Sequence, residues 1–456
     1  MNKKLIFVVL LYFTVFNTIK TYSQSDKMQW WQEAKFGLFL HWGLYSVTAG
    51  EWKGHPAIGN EHLMFGEKIP LKEYSKIAEA FNPTSFNADF WVKSAKDAGM
   101  KYIVITAKHH DGFAMFNSPS DDYNIVKTTP YHHDPMKDLA AACKKYGLKM
   151  CFYYSLGRDW ASPESTWIKE GSKAGNTWDF PDEQTKDNNK YIENKVKPQL
   201  KELLTQYGPI GVIWFDTPEG TPPAQSESLR KLILSIQPNC IINSRIGNGF
   251  GDYAVSEQKI IAGAELKPWE SCITMSGKWG FNKFDKAWKT PELLVRHLVE
   301  IVCKGGNLLL NIGPNSLGEL PEQSLKNLSA IGNWMKINNE AIYGTKPWTT
   351  VSEYALNVTD VRADVMGKSS NDFTSKKINP DLYFNQKENN IYVFARSWTA
   401  PAMASKSLAQ IKNIKSIALL GSKEKVKWLL QADSLVISMP QVKTEIPVYV
   451  FKITTK

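Results

Sequence analysis

Residues 134–155 read "DPMKDLAAACKKYGLKMCFYYS". Asp134 has the side chain of a helix N-cap, and Pro135 suits the first helical turn, where a missing N–H costs little. Gly147 supplies the left-handed residue that commonly closes a helix. Directly after it, residues 149–155 run apolar without polar alternation. Such a strand is covered on both faces, the condition of a parallel sheet flanked by helices. The stretch is one helix–strand unit, and the rest of the chain can be searched for its repeats.

Repeats are present. Short apolar runs recur as "FGLFLHW" (36–42), "YIVIT" (102–106), "IGVIWFD" (210–216), "CIINSR" (240–245), "SCITMS" (271–276) and "NLLLNIG" (307–313). Helix-like stretches lie between them at 87–100, 229–237 and 290–306, with another at 321–344. Seven or eight such units over about 320 residues predict a closed (β/α)8-type barrel and not an open doubly wound sheet. No glycine-rich dinucleotide loop follows the first run, which also disfavours the open sheet. Beyond Gly344 the texture changes. Runs such as "IKSIALLG" (414–421) and "IPVYVFKI" (446–453) follow one another without helices between them. They predict a C-terminal antiparallel β-sandwich. The expected organisation is a leader over 1–24, a barrel over 25–348 and a sandwich over 349–456.

The leader is read from Lys3 and Lys4, an apolar stretch from Leu5 to Phe16, and small or polar residues up to a cleavage zone near Ser23–Gln24. That is the layout of a secretory signal, and the apolar stretch is short of the ~20 residues of a spanning helix. The expected protein is exported, periplasmic or secreted, with a leader of bacterial look and no membrane span in its mature form. A hydrophobic fraction of 43% with 22% charged residues is that of a globular chain. The formal charge of +10 comes from lysines scattered along the chain, so no nucleic-acid partner is expected. Five cysteines, widely spaced and with no CxxC pair, fit neither a zinc site nor a disulfide framework.

A barrel of this kind carries its chemistry at the C-terminal ends of its strands. His41 stands after the first run, with Glu51 and Trp52 in the loop beyond. "AKHHDGF" places His109, His110 and Asp111 after the second, and Tyr153 and Tyr154 stand near the end of the 149–155 run. "IGVIWFD" ends in Trp214 and Asp216, and "CIINSR" in Arg245. "GDYAVSEQ" carries Glu257, "PWES" carries Glu270, and Trp279 lies in "KWGFN". Imidazoles, carboxylates, one arginine and flat aromatic rings on one face suit a small polyhydroxylated ring with an apolar side. Successive strand residues point to opposite faces, so His109 and His110 share a ligand only where the chain turns. The pair lacks a third ligand at metal spacing, so no metal and no cofactor are expected. Asp111 serves either to steady a histidine or to shape the turn.

The segments "KFGLFLHWGLYSV", "AKHHDGF", "YYSLGRDW", "IWFD", "WGFN" and "GGNLLLNIGP" resemble, in order, family 29 of the glycoside hydrolases, the retaining α-L-fucosidases. The resemblance runs from about Trp30 to Gly344. It implies an exo-acting α-L-fucosidase that removes terminal fucose from fucosylated oligosaccharides or glycoconjugates by double displacement. Asp216 stands where the family's nucleophile stands. Glu257 matches its acid/base segment with Val-Ser replacing the usual pair before the glutamate, and Glu270 is the rival. His41, Glu51, Trp52, His109, His110, Tyr154, Trp214, Arg245 and Trp279 are implied to hold the sugar. Two other readings stay open: relaxed specificity toward β-D-galactosides or β-D-fucosides, and a non-catalytic carbohydrate-binding barrel.

Overall fold

A computed structural model describes residues 24–166, 175–261, 267–354, 381–396, 402–439 and 445–456. The expected leader over 1–24 lies outside them except for its last residue. Eight parallel strands form one curled sheet. They are β1 (Phe36–Leu40), β2 (Tyr102–Lys108), β3 (Lys149–Ser155), β4 (Ile210–Asp216), β5 (Ile241–Ile242), β6 (Ala254–Glu257), β7 (Trp269–Thr274) and β8 (Asn307–Ile312). In space they run β5, β4, β3, β2, β1, β8, β7, β6. The two edges meet at a single parallel bridge, Asn243 to Tyr253, where Ser244 N donates to the Tyr253 carbonyl at 2.8 Å. Strand β6 was not among the apolar runs: Ala-Val-Ser-Glu is short and half polar, and only its place beside β7 makes it a strand.

The central strands are buried along both faces, as their continuous apolar runs require. Two apolar clusters divide at the sheet. Outside it, Ile103, Ile105, Phe152, Tyr154, Ile213 and Phe215 meet the helices. Inside the bore stand Phe39, Tyr102, Val104, Cys151, Tyr153, Val212, Trp214, Cys272 and Leu309. Helix α1 (Gln24–Ala34) closes the lower end of the bore with Met28, Trp31 and Ala34. Helix α2 (Ala88–Asp97) is capped by Asn87, whose side chain accepts from Phe90 N. Helix α3 (Pro135–Tyr146) is capped by Asp134 and ends at Gly147 with φ +74°. Helix α4 (Lys197–Gln206) continues a helical run from Asn188 that the sequence pattern did not single out. Helix α5 (Pro223–Ile236) begins six residues before the expected 229, because two prolines start it. Helices α6 (Pro291–Cys303) and α7 (Glu322–Asn338) complete the outer layer. No α-helix stands among the described residues between β5 and β6 or between β6 and β7. None of the described helices is long and apolar enough to cross a membrane.

The C-terminal unit is a sandwich of a five-stranded and a three-stranded antiparallel sheet. Its first strand begins at Lys346, inside the stretch expected to belong to the barrel. Side-chain alternation explains how it docks. Leu382, Phe384, Ile391 and Val393 face the sandwich core, whereas Tyr383, Tyr392 and Phe394 join the barrel's outer cluster. Trp334 of α7 adds a hydrogen bond from its indole N–H to the Val448 carbonyl at 2.9 Å.

Candidate active site

The upper mouth of the bore holds a cavity of about 200 Å³, lined by Phe39, His41, Glu61, His62, His109, His110, Tyr153, Arg158, Trp214, Asp216, Thr217, Arg245, Glu257, Cys272 and Trp279. Eight residues singled out in the sequence meet there: His41, His109, His110, Trp214, Asp216, Arg245, Glu257 and Trp279.

Asp216 ends β4 and is tied down by three donors. Arg245 Nη1 reaches Oδ1 at 2.6 Å, Thr217 N reaches the same oxygen at 2.8 Å, and the Tyr153 hydroxyl donates to Oδ2 at 2.8 Å. Thr217 takes φ +51°, a left-handed conformation rare for a β-branched residue. That turn directs its N–H back to the carboxylate. Burial alone would raise the Asp216 pKa. The Arg245 charge and the hydrogen bonds from Tyr153 and Arg245 outweigh it and hold the group below the usual carboxylate range.

Arg245 sits on a tight turn after β5, over the Trp214 ring at 5.1 Å. Its second nitrogen donates to Glu257 Oε2 at 2.5 Å. One guanidinium therefore stands between two carboxylates. Glu257 ends β6, and its side chain is 42% exposed, so solvent can reach it.

The histidines are oriented by their second nitrogens. His41 Nδ1 lies 2.6 Å from Asn311 Oδ1, and Asn311 gives its own N–H to the Trp279 carbonyl, so the imidazole is the donor. His110 Nδ1 lies 2.6 Å from Ser155 Oγ, which donates onward to the Arg158 carbonyl. His110 Nε2 is left 3.6 Å from Asp216 Oδ2. Burial lowers the pKa of His41 to about 4 and pushes His109 and His110 well below the usual range. All three are neutral in mild acid and can each donate one hydrogen bond and accept another.

Four expected residues stand elsewhere. Tyr154 points to the outer face, where its hydroxyl donates to Gln199 Oε1 at 2.6 Å. The pleat gives the inward place to Tyr153, which pairs in register with Trp214 and stacks on it at 5.6 Å. Glu51 lies in a two-residue hairpin arm and pairs with Lys283 at 2.6 Å. Trp52, beside it, packs on the outer core. Glu270 faces the bore two residues below Cys272, about 7 Å deeper by strand rise. Its oxygens accept from Tyr102, Trp214 and Tyr253 at 2.6, 2.8 and 3.3 Å. Burial raises its pKa to about 7 against those bonds. Asp111 shapes the turn, accepting from Tyr74 OH at 2.9 Å and from Phe113 N at 3.2 Å.

Glu61, His62 and Arg158 line the cavity without having been foreseen. Glu61 and His62 sit on a 3-10 turn in the long connection from β1 to α2, where no periodic pattern marks them. Glu61 is 7% exposed and is fixed by the Asn60 amide at 2.8 Å. Its only sequence signal is a polar Asn-Glu-His triplet in a loop above a strand end.

The family profile described as Alpha-L-fucosidase matches residues 15–340, and that described as Alpha-L-fucosidase C-terminal domain matches residues 371–454. The chain is 27% identical over 437 residues to the tissue alpha-L-fucosidase of Rattus norvegicus, covering 91% of this chain and 86% of that one. It superposes on alpha-L-fucosidase isoenzyme 1 from Paenibacillus thiaminolyticus with a TM-score of 0.81 and 32% identity, covering 95% and 99% of the two chains. Alpha-L-fucosidase AlfC from Lactobacillus casei, solved in complex with alpha-L-fucose product, superposes with a TM-score of 0.66 and 40% identity, over 69% of this chain and 99% of that one.

Proposed function

This chain belongs to the alpha-L-fucosidase family of glycoside hydrolases, and from that premise we propose that it is an exo-acting, retaining α-L-fucosidase that releases terminal fucose from fucosylated glycans. The observation that carries this reading is the Arg245 bridge: one guanidinium bonded to Asp216 on one side and to Glu257 on the other. A retaining glycosidase uses two carboxyl groups close enough to act on opposite sides of one anomeric carbon. Asp216, held ionised by its three donors, attacks that carbon. Glu257 gives its proton to the departing oxygen, then takes one from the water that hydrolyses the fucosyl-Asp216 ester. Tyr153, Arg245 and the Thr217 N–H keep the attacking carboxylate from rotating, which places reacting atoms before the barrier is climbed.

The neutral rings of His41, His109 and His110 hold sugar hydroxyls, and Trp214 and Trp279 supply flat apolar walls. The cavity suits a single sugar ring, which favours attack on chain ends. The bound fucose of the Lactobacillus casei relative supports the choice of sugar. The leader over 1–24 supports export, to the periplasm or beyond the cell.

Hydrolysis of 4-nitrophenyl α-L-fucopyranoside tests the assignment. Asp216→Ala lowers kcat by about four orders of magnitude, and Glu257→Ala by about 10²- to 10⁴-fold. Azide restores the Glu257 variant with formation of a retained fucosyl azide. An inert wild type, or an Asp216→Ala variant with near-normal kcat, overturns the reading.

A further inference from the structure

Three histidines converge at one corner of the cavity. His109 and His110 follow β2, and the third, His62, arrives from the distant 3-10 turn. Sequence spacing could not supply that ligand, because only the fold brings the two loops together. One ring nitrogen of each lies within 4.8 Å of those of the other two. We propose that His62, His109 and His110 form a binding site for a borderline divalent cation of the Zn²⁺ class.

Imidazole is a good ligand for zinc, nickel and copper, and three of them leave a fourth position open. With Zn–N bonds of about 2.0–2.1 Å, tetrahedral ligands stand roughly 3.4 Å apart, so modest side-chain rotation closes the site. Two further observations point to a ligand here. The Nδ1 atom of His109 is buried with no hydrogen-bond partner, although the residue is only 4% exposed. His110 is already oriented as metal-bound histidines are, one nitrogen committed to Ser155 and the other facing the cavity. Glu61, Asp216 and Glu257 face the same space and attract a cation, against Arg158 and Arg245.

The ion occupies nitrogens of His109 and His110, which the proposed function gives to sugar hydroxyls. Zn²⁺ and fucose therefore exclude each other, a consequence that rests on that functional reading.

Isothermal titration of ZnCl₂ into chelator-stripped full-length protein tests the site. One Zn²⁺ binds per chain. His62→Ala, at a half-buried loop position that leaves folding intact, weakens it by about tenfold or more, as does His109→Asn. His133→Ala, an exposed histidine paired with Asp138, leaves binding unchanged. Absence of binding, or equal affinity in wild type and His62→Ala, overturns the site. Saturating L-fucose raises the apparent zinc Kd. Zinc that binds at the triad but ignores fucose keeps the metal site and overturns the sugar role of these histidines. Hydrolysis that survives without zinc binding leaves the fucosidase reading standing and sinks the metal alone.

Discussion

The bore of this barrel has two ends, and each buries a carboxyl group that accepts three hydrogen bonds. At the mouth, Asp216 takes them from Arg245, Tyr153 and a backbone N–H. Lower down, Glu270 takes them from two tyrosines and a tryptophan. Trp214 touches both places: its ring lines the cavity and its N–H holds Glu270. Yet Asp216 is shifted down and Glu270 up, to about 7. The number of hydrogen bonds does not decide the ionisation of a buried carboxyl; the presence of a cation does. A raised pKa alone would have nominated Glu270 as the acid. Access sets the two apart, because Glu270 is fully buried beneath the cavity whereas Glu257 opens onto it.

The largest effect comes from making the mouth resemble the floor. Arg245→Met removes the cation and leaves Asp216 with only neutral donors. Its pKa then rises, since the Tyr153 hydrogen bond and the Arg158 charge offset burial only in part. The ionised fraction falls in mild acid, and the acid limb of kcat/KM moves to higher pH. A pH–rate profile on an aryl α-L-fucoside shows that shift together with a kcat loss of about a hundredfold or more. An unmoved acid limb would mean that Tyr153 and Thr217 suffice, and the contrast between the two ends would collapse.

Glu270→Gln probes the floor through stability. The folded state binds this proton more tightly than the unfolded chain does, with a pKa of about 7 against 4.5. Stability from the neutral form is therefore complete in acid and is lost as pH rises from about 4.5 to 7, by up to ~3 kcal/mol, with no further loss above. The glutamine variant lacks this dependence. Its NH₂ group meets hydroxyl and indole donors, so at pH 5 it melts below wild type. Between pH 5 and pH 8 that deficit narrows, as paired thermal melts would record. A deficit constant with pH would mean that folding does not raise the Glu270 pKa.

Much of this arrangement was legible in the chain. Continuous apolar strands separated by capped helices specified a barrel, and Asp134, Pro135 and Gly147 fixed one helix at both ends. Residues at strand ends, such as Asp216 and Arg245, were readable because a barrel turns strand ends into a site. What was hidden depends on register and loop path. Strand β6 carries no apolar pattern, and its partner β7 alone defines it. Glu61 and His62 reach the cavity along a loop whose course no local rule describes. Glu270 and Glu257 could not be separated, since depth in the bore follows from which residues lie side by side. Tyr153 and Tyr154 are the plainest example: adjacent, identical in type, and sent to opposite faces by the pleat.

That pair yields the smallest effects and the cleanest division between inner and outer walls. Tyr153→Phe removes one donor from Asp216 while keeping the ring stacked on Trp214. The expected result is a kcat lower by about tenfold together with a lower melting temperature, a net hydrogen bond to a charged group being worth about 1.5–3 kcal/mol of stability. Tyr154→Phe removes the hydroxyl that meets Gln199 behind the sheet and leaves the amide oxygen short of a donor. It costs about 1 kcal/mol of stability and leaves kcat within about twofold of wild type. Steady-state kinetics beside thermal melts of both variants separate the two roles. Should Tyr154→Phe prove the slower enzyme, catalysis depends on the packing behind the sheet, and inward orientation would no longer be what marks a residue of this site.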